Sequence, residues 1–182
     1  DIEAIFGEPA ANDKADSGFN KIMGDFFSAL DDLSETPEDP AARGLVLQTG
    51  VSMCKYFNTA ATRMQKIRDD NNYAVKLTVD EINTYVRQIK ELNKQIYTTE
   101  LDGNIANDLR DERTLIVDKL SKLVNIQASE LVVGRLPNGK ENKHFQVTLN
   151  GSYMVNHVDA YELECYQDNQ NMYQVKWGKT GN

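Results

Sequence analysis

The sequence predicts an α+β protein: an elongated antiparallel helical bundle built on one very long helix, followed by a small antiparallel β module. Two observations carry this. Residues Pro40 to Glu100 contain no further proline and no convincing turn, and place an apolar residue at every third or fourth position, the repeat of a helix face. From Glu130 onward the apolar period changes to two, the alternation of half-buried strands. The expected division is an irregular lead-in over 1–17, a helical rod domain over 18–128 and a hairpin or meander module over 129–182.

The lead-in is polar and broken by Gly7, Pro9, Asn12 and Asp13, residues that interrupt regular structure. A first helix is expected from Ser17 or Gly18. Phe19, Ile22, Met23, Phe26, Leu30 and Leu33 share one stripe, with Asp25, Asp31 and Asp32 turned away. Glu35 to Pro40 ends it and starts the next. Asp39 is placed to cap the new N-terminus, and Pro40 at the first helical position sacrifices no hydrogen bond. So short a connection makes the two helices antiparallel neighbours.

The long helix carries a seam of Val46, Gly50, Met53, Phe57, Ala60, Met64 and Ile67. It skips at Asn71 and Val75, then resumes as Val79, Ile82, Val86, Ile89, Asn93 and Ile96. This is a coiled-coil repeat with one stutter. At about 1.5 Å per residue the helix would reach roughly 80 Å. Leu101-Asp102-Gly103 supplies the glycine of a left-handed cap. A third helix of some twenty residues follows, with Asn104 or Asn107 as its cap, Asp108 and Asp111 in its first turn, and Leu109, Ile116, Leu120 and Leu123 as its buried stripe. The flanking helices cover the first and last thirds of the long one. Its middle, Arg63 to Thr78, is left without a partner in this chain.

The expected bundle core is Phe26, Leu30, Leu33, Phe57, Met64, Ile82, Val86, Ile89, Ile96, Leu109, Ile116, Leu120 and Leu123. In the β module Phe145, Val147 and Leu149, then Tyr161, Leu163 and Cys165, then Tyr173, Val175 and Trp177 alternate with polar residues. Asn138-Gly139 and Asn150-Gly151 are hairpin-turn dipeptides. Up to five antiparallel strands are expected over 131–177.

Composition narrows the function classes. The formal charge is −8, and residues 1–40 hold two basic and eleven acidic side chains against eighteen and seventeen in the remainder. The acidic front faces solvent or the mildly basic start of the long helix (Lys55, Arg63, Lys66, Arg68). No basic patch for nucleic acid stands out. No cleavable signal peptide and no apolar run of eighteen residues is seen, so neither Sec-type secretion nor membrane insertion is expected from this stretch. Cys54 and Cys165 have no metal-binding spacing and read as separate buried or half-buried thiols.

Catalytic signatures are missing from the pattern. There is no nucleophile elbow, phosphate loop or dinucleotide fingerprint. His144 and His157 lie on neighbouring expected strands; a zinc site from them would need further ligands, with Cys165 the only nearby candidate, and they read instead as two ordinary surface or edge histidines. No catalytic residue, cofactor or metal is expected. The denser cluster Asp108, Arg110, Asp111 and Arg113 reads as surface pairs worth under about 0.5 kcal/mol each; Arg110, Asp111 and Arg113 are taken as the candidate partner surface.

Several strings combine into something more specific. Asp25-Phe26-Phe27-Ser28-Ala29-Leu30 with Leu33-Ser34 and Pro37, then Ala41-Ala42-Arg43, Val46-Leu47-Gln48, Phe57-Asn58 and Ile67-Arg68 resemble the flagellar hook-associated protein 1 family of hook–filament junction proteins. Glu81-Ile82-Asn83, Gln88-Ile89, Leu92-Asn93 and Gln95-Ile96 are similar to the end of that family's long helix. Ala106-Asn107-Asp108-Leu109-Arg110-Asp111, with Arg113, Leu120-Ser121 and Leu123-Val124, is similar to its next helix, and Val147 to Leu163 to the hairpin after it. The resemblance covers about Phe6 to Leu163.

It implies a structural subunit of the bacterial flagellum, exported through the flagellar type III apparatus, that forms a ring between hook and filament. Its implied partners are the hook protein, the second junction protein (hook-associated protein 3) and copies of itself, with no nucleic acid and no membrane. The family carries helical segments at both chain ends that complete the bundle. Both are missing from this sequence, which therefore reads as an internal fragment, expected to be a monomer or weak dimer by itself. A cytoplasmic coiled-coil scaffold or adaptor that dimerises through its own seam is the alternative, and a hydrolase hosted on the β module a third reading. The two cysteines and the residues after Cys165 depart from the family pattern.

Overall fold

The computed structural model describes residues 18–178, so the lead-in expected over 1–17 lies outside the described residues. Three helices are followed by six strands: α1 (Phe19–Glu35), α2 (Pro40–Leu101), α3 (Asn107–Leu123), β1 (Ile126–Arg135), β2 (Glu141–Leu149), β3 (Ser152–Asn156), β4 (Asp159–Ala160), β5 (Leu163–Gln167) and β6 (Tyr173–Trp177). The 62-residue α2 contributes to both of two compact units, which divide between Asn71 and Asn72.

In the first unit α1 and the start of α2 run antiparallel. Asp39 Oδ1 accepts a hydrogen bond from the Ala41 N–H at 2.9 Å, and the Arg43 Nε–H donates to the Pro37 carbonyl at 2.9 Å. These contacts turn the chain where Pro40 opens the helix. Phe19 meets the rings of Tyr56 and Phe57, with centroids 6.4 and 6.0 Å apart. The Phe26 ring lies against Gly50, close enough that a Cβ there would sit 3.5 Å away. Small residues make the tightest part of the contact: Ala29, Ala42 and Ala60 are buried.

This unit corrects part of the expected core. Phe26 and Leu33 are half-buried, whereas Leu30, Phe57 and Met64 are exposed. α1 begins at Phe19, opposite Tyr56 and Phe57, so Phe57 is covered on one side only at the helix end and Met64 lies about two turns past it. Cys54 is likewise exposed, not half-buried.

The second unit gathers the rest of α2, α3 and all six strands around one core. Val79, Ile82, Val86, Ile89 and Leu92 of α2 and Ile116 and Leu120 of α3 pack with Val147, Met154, Val155 and Leu163 of the strands. Ile96 is also buried, and Leu109 and Leu123 pack against the core half-buried. The apolar period thus carries the same side of α2 across both α3 and the sheet. Gly103, at φ +85°, turns the chain after α2; its N–H donates to the Glu100 carbonyl at 3.1 Å.

Two boundaries differ from expectation. The residue before α3 is Ala106, with no side-chain cap from Asn104 or Asn107; Ala106 is buried, and packing sets the helix start. The helix also stops at Leu123, because Val124 is extended and Ile126 already pairs with Leu149. Strand pairing overrides a helical pattern that would have run on.

Four antiparallel strands form a sheet in the order β1-β2-β3-β4, and β5 and β6 form a separate hairpin. Six strands beginning at Ile126 thus replace the five expected from residue 131. Asn150 and Gly151 join β2 to β3 with φ +51° and +80°, the two-residue turn whose twist suits a hairpin.

Asparagines on α2 hold the strands. The Asn83 amide both donates to the Leu163 carbonyl at 2.8 Å and accepts from its N–H at 2.9 Å, as a neighbouring strand would. Asn72 treats the β5–β6 turn in the same way, donating to the Asn171 carbonyl at 2.9 Å and accepting from the Tyr173 N–H at 2.6 Å. The expectation that α2 lacks a partner through Thr78 is therefore corrected from Asn72 onward: the hairpin lies along it. Eleven residues of helix rise about 16 Å, close to the length of a five-residue strand, so the two clamps match the hairpin's span.

Asn83→Ala is expected to destabilise the second unit by about 3 kcal/mol, since two buried backbone groups lose their partners. Asn72→Ala, on an exposed contact, should cost about 1 kcal/mol. Urea unfolding followed by circular dichroism tests the ranking, and equal losses would contradict it.

Candidate functional site

The densest polar constellation joins α2, α3, β1 and β2. α3 runs antiparallel to the end of α2, which places Arg110 beside Glu100 and Arg113 beside Asn93. Arg110 donates through Nε and Nη2 to Glu100 Oε1 at 3.1 and 2.7 Å, and through Nη1 to Glu130 Oε1 at 2.8 Å. Arg113 donates through Nη1 to Asn93 Oδ1 at 2.9 Å and through Nη2 to the same Glu130 oxygen at 3.1 Å. Its guanidinium carbon lies 3.8 Å from the centroid of the Phe145 ring on β2, a cation–π contact. Asn93 Nδ2 extends the chain of bonds to the His157 carbonyl at 2.7 Å.

The sequence expectation for this cluster is corrected on two points. Arg113, expected on a partner surface, is 6% exposed and consumed by internal partners. Arg110 is three-quarters buried in the same network, and Asp111 alone of the three is exposed. The pairs are also stronger than surface pairs, because desolvated charges held by several hydrogen bonds interact in a low local dielectric. The reason for the miss is visible in the partners. Glu130 is a lone acid in a strand and Glu100 a lone acid at a helix end; nothing in their spacing announces a shared site. Asn93 did leave a signal, a polar residue in an apolar seam.

Burial acts on Glu130, Arg113 and Arg110. It would raise the Glu130 carboxyl, but hydrogen bonds and charge from Arg110 and Arg113 outweigh it and hold the pKa below the usual carboxylate value. Burial lowers Arg113, only partly offset by Glu130. For Arg110 the lowering by burial is overcome by Glu100 and Glu130, and its pKa is raised. Glu130 and the two arginines therefore stay ionised at neutral pH.

His144 and His157, expected on neighbouring strands, stack face to face with centroids 3.8 Å apart and planes 2° from parallel. Tyr97 of α2 meets His157 edge-on at 5.1 Å. His157 has its pKa lowered, by burial first and by His144 second, against a smaller opposing effect of Asp159. Among the described residues no three His, Cys, Asp or Glu side chains converge as a metal site.

The enclosed space beside the network measures about 10 Å³, room for one water-sized sphere and not for an organic substrate. The arrangement is suited to fixing elements to one another. Its charged groups bond one another, and Glu100 and Arg110 also line a more open hollow of about 330 Å³ with Asn104, Lys140, Glu141 and Lys143.

The family described as "Flagellar hook-associated protein FlgK helical domain" matches residues 7–182. The Bacillus subtilis flagellar hook-associated protein 1 is 32% identical over 122 residues, 67% of this chain and 24% of that protein. The Escherichia coli protein of the same name is 34% identical over 109 residues, 59% of this chain and 20% of that protein. Among solved structures, the flagellar hook junction protein FlgK from Burkholderia pseudomallei matches with a TM-score of 0.72 at 25% identity, covering 88% of this chain and 27% of that one. The chain spans about a quarter or less of the length of the curated relatives it matches.

Arg113→Ala is expected to cost about 3–5 kcal/mol, because it strands Glu130 and Asn93 as well as opening space beside Phe145. Denaturant unfolding measures this, and a loss under 1 kcal/mol would show the network to be incidental. The pH dependence has a definite sign. His157 binds protons less readily folded than unfolded, so its contribution is complete above the unfolded value near 6.5 and is lost as pH falls below it. Glu130 follows the same direction lower down, its stabilisation fading below the unfolded carboxylate value near 4.3. Melting temperatures between pH 7 and 5 should fall in the native chain and fall less steeply in His157→Gln.

Proposed function

We propose, from the premise that the chain belongs to the flagellar hook-associated protein FlgK helical-domain family, that it is part of a structural subunit of the bacterial flagellum at the junction of hook and filament. The family match over nearly the whole chain is the observation that carries this. The fold agrees with the role. α1 and α3 fold back on α2 within one chain, which favours an intramolecular bundle over an adaptor that dimerises through its own seam. No helix among the described residues is long and apolar enough to cross a membrane.

The remaining assignments extend this reading. The full-length protein is exported through the flagellar type III apparatus and lies outside the cell. Its partners there are the hook protein, hook-associated protein 3 and copies of itself, and it has no catalytic activity of its own. The exposed side chains Leu30, Leu47, Val51, Phe57 and Met64 support a bundle completed by helices outside this sequence. So many exposed large apolar side chains are normally covered. Burial of such surface is favourable by about 25 cal/mol per Å².

Deleting the gene in the source bacterium and restoring it on a plasmid tests the junction role: electron micrographs should show hooks without filaments, reversed by the full-length gene. Normal filaments in the deletion strain would overturn it. The 182-residue chain by itself should be a monomer or weak dimer at about micromolar concentration, since ring assembly needs many repeated contacts acting together. Size exclusion with light scattering measures this; a stable ring or tight dimer at about 1 μM would place the assembly determinants inside this chain.

A further inference from the structure

Arg113 Nε and Asn142 Oδ1 are buried side-chain atoms with no protein hydrogen-bond partner. Both residues line the same enclosed space of about 10 Å³, together with Asn93, Glu130 and Phe145. The other two nitrogens of Arg113 are spoken for by Asn93 and Glu130. One donor and one acceptor, from α3 and from β2, are thus left on residues that line a single small cavity, and an unpaired buried polar atom is strongly disfavoured.

The backbone around Asn142 departs from a regular ladder. Asn142 pairs with Gly134, at a register shift in β1 between Val132 and Gly134, and Gly134 has φ +156°, a conformation that side-chain-bearing residues rarely adopt. A bulge of this kind re-aims a neighbouring side chain.

The chemistry of the two atoms selects the occupant. A cation is repelled by the Arg113 guanidinium. A halide would accept from Nε–H but would face the Asn142 oxygen and the Glu130 carboxylate. A neutral molecule that both accepts and donates matches both atoms, and the space holds one of water's size. We propose that this is a built site for a single structural water, which accepts from Arg113 Nε–H and donates to Asn142 Oδ1, bridging α3 to the bulged β1–β2 hairpin. The water completes the arginine's set of partners and ties the hairpin to the helix pair without a direct contact. This assignment stands independently of the flagellar reading.

Crystals of the 182-residue chain grown with and without sodium bromide test it. The expected result is density for one water about 2.7–3.2 Å from both atoms, with no anomalous bromide peak there. A direct Arg113 Nε to Asn142 Oδ1 bond, a bromide peak at the site, or two unpaired atoms around an unfilled space would each overturn it. In solution, the Arg113 Nε–H of ¹⁵N-labelled protein should show a cross-relaxation peak to a long-lived water and exchange at least about tenfold more slowly than that of the exposed Arg63. Asn142→Leu should abolish the water peak. If that variant does not fold, the native exchange rate decides alone, and exchange as fast as that of Arg63 refutes the site.

Discussion

Asn83 reaches from the side of a helix to bond both the N–H and the carbonyl of Leu163, and the arrangement of the β strands depends on this kind of contact. A hairpin such as β5–β6 has too few strands to be stable by itself. It is held because amide side chains on α2 pair with its backbone at two points three helical turns apart. The helix supplies the stiffness and the spacing, and the sheet supplies backbone groups that would otherwise need water or another strand. Leu163, the residue clamped, is also a core residue, so the polar and apolar contributions coincide at one position.

At the other end of the unit the same logic uses charge. Glu130 receives both arginines of α3, while Glu100 of α2 receives one of them. Burying four charged side chains is costly, and an apolar replacement of matched shape is often no less stable. What the charged version adds is direction: guanidinium and carboxylate meet in few geometries, so α3 has one register against α2 and β1 one position over both. Phe145 closes the face of Arg113 that no carboxylate reaches. The histidine stack and the Asn93 bond to His157 continue the polar seam to the β3–β4 turn.

The two units differ in how their apolar residues are used. In residues 72–182 the seam of α2 is closed over by α3 and the strands. In residues 1–71 alanines make the tight contact and larger side chains stay exposed.

How much was legible in the sequence follows from which interactions are local. The length and start of α2 were readable because its period, Pro40 and the Asp39 cap act within a few residues. The Asn150-Gly151 turn was readable because only certain residues adopt its positive φ values. The family strings were legible because they combine many such local features in order. The exposure of Leu30, Phe57 and Met64, the early stop of α3 and the burial of Arg113 were not. Each depends on what lies opposite in space: an α1 that begins only opposite Phe57, a β2 strand that captures Ile126, and Glu130 and Phe145 arriving from strands beyond the helix. Periodicity states which face is apolar or charged. Only the tertiary structure decides whether anything comes to cover it, because burial energy and desolvated charge depend on neighbours distant in the chain.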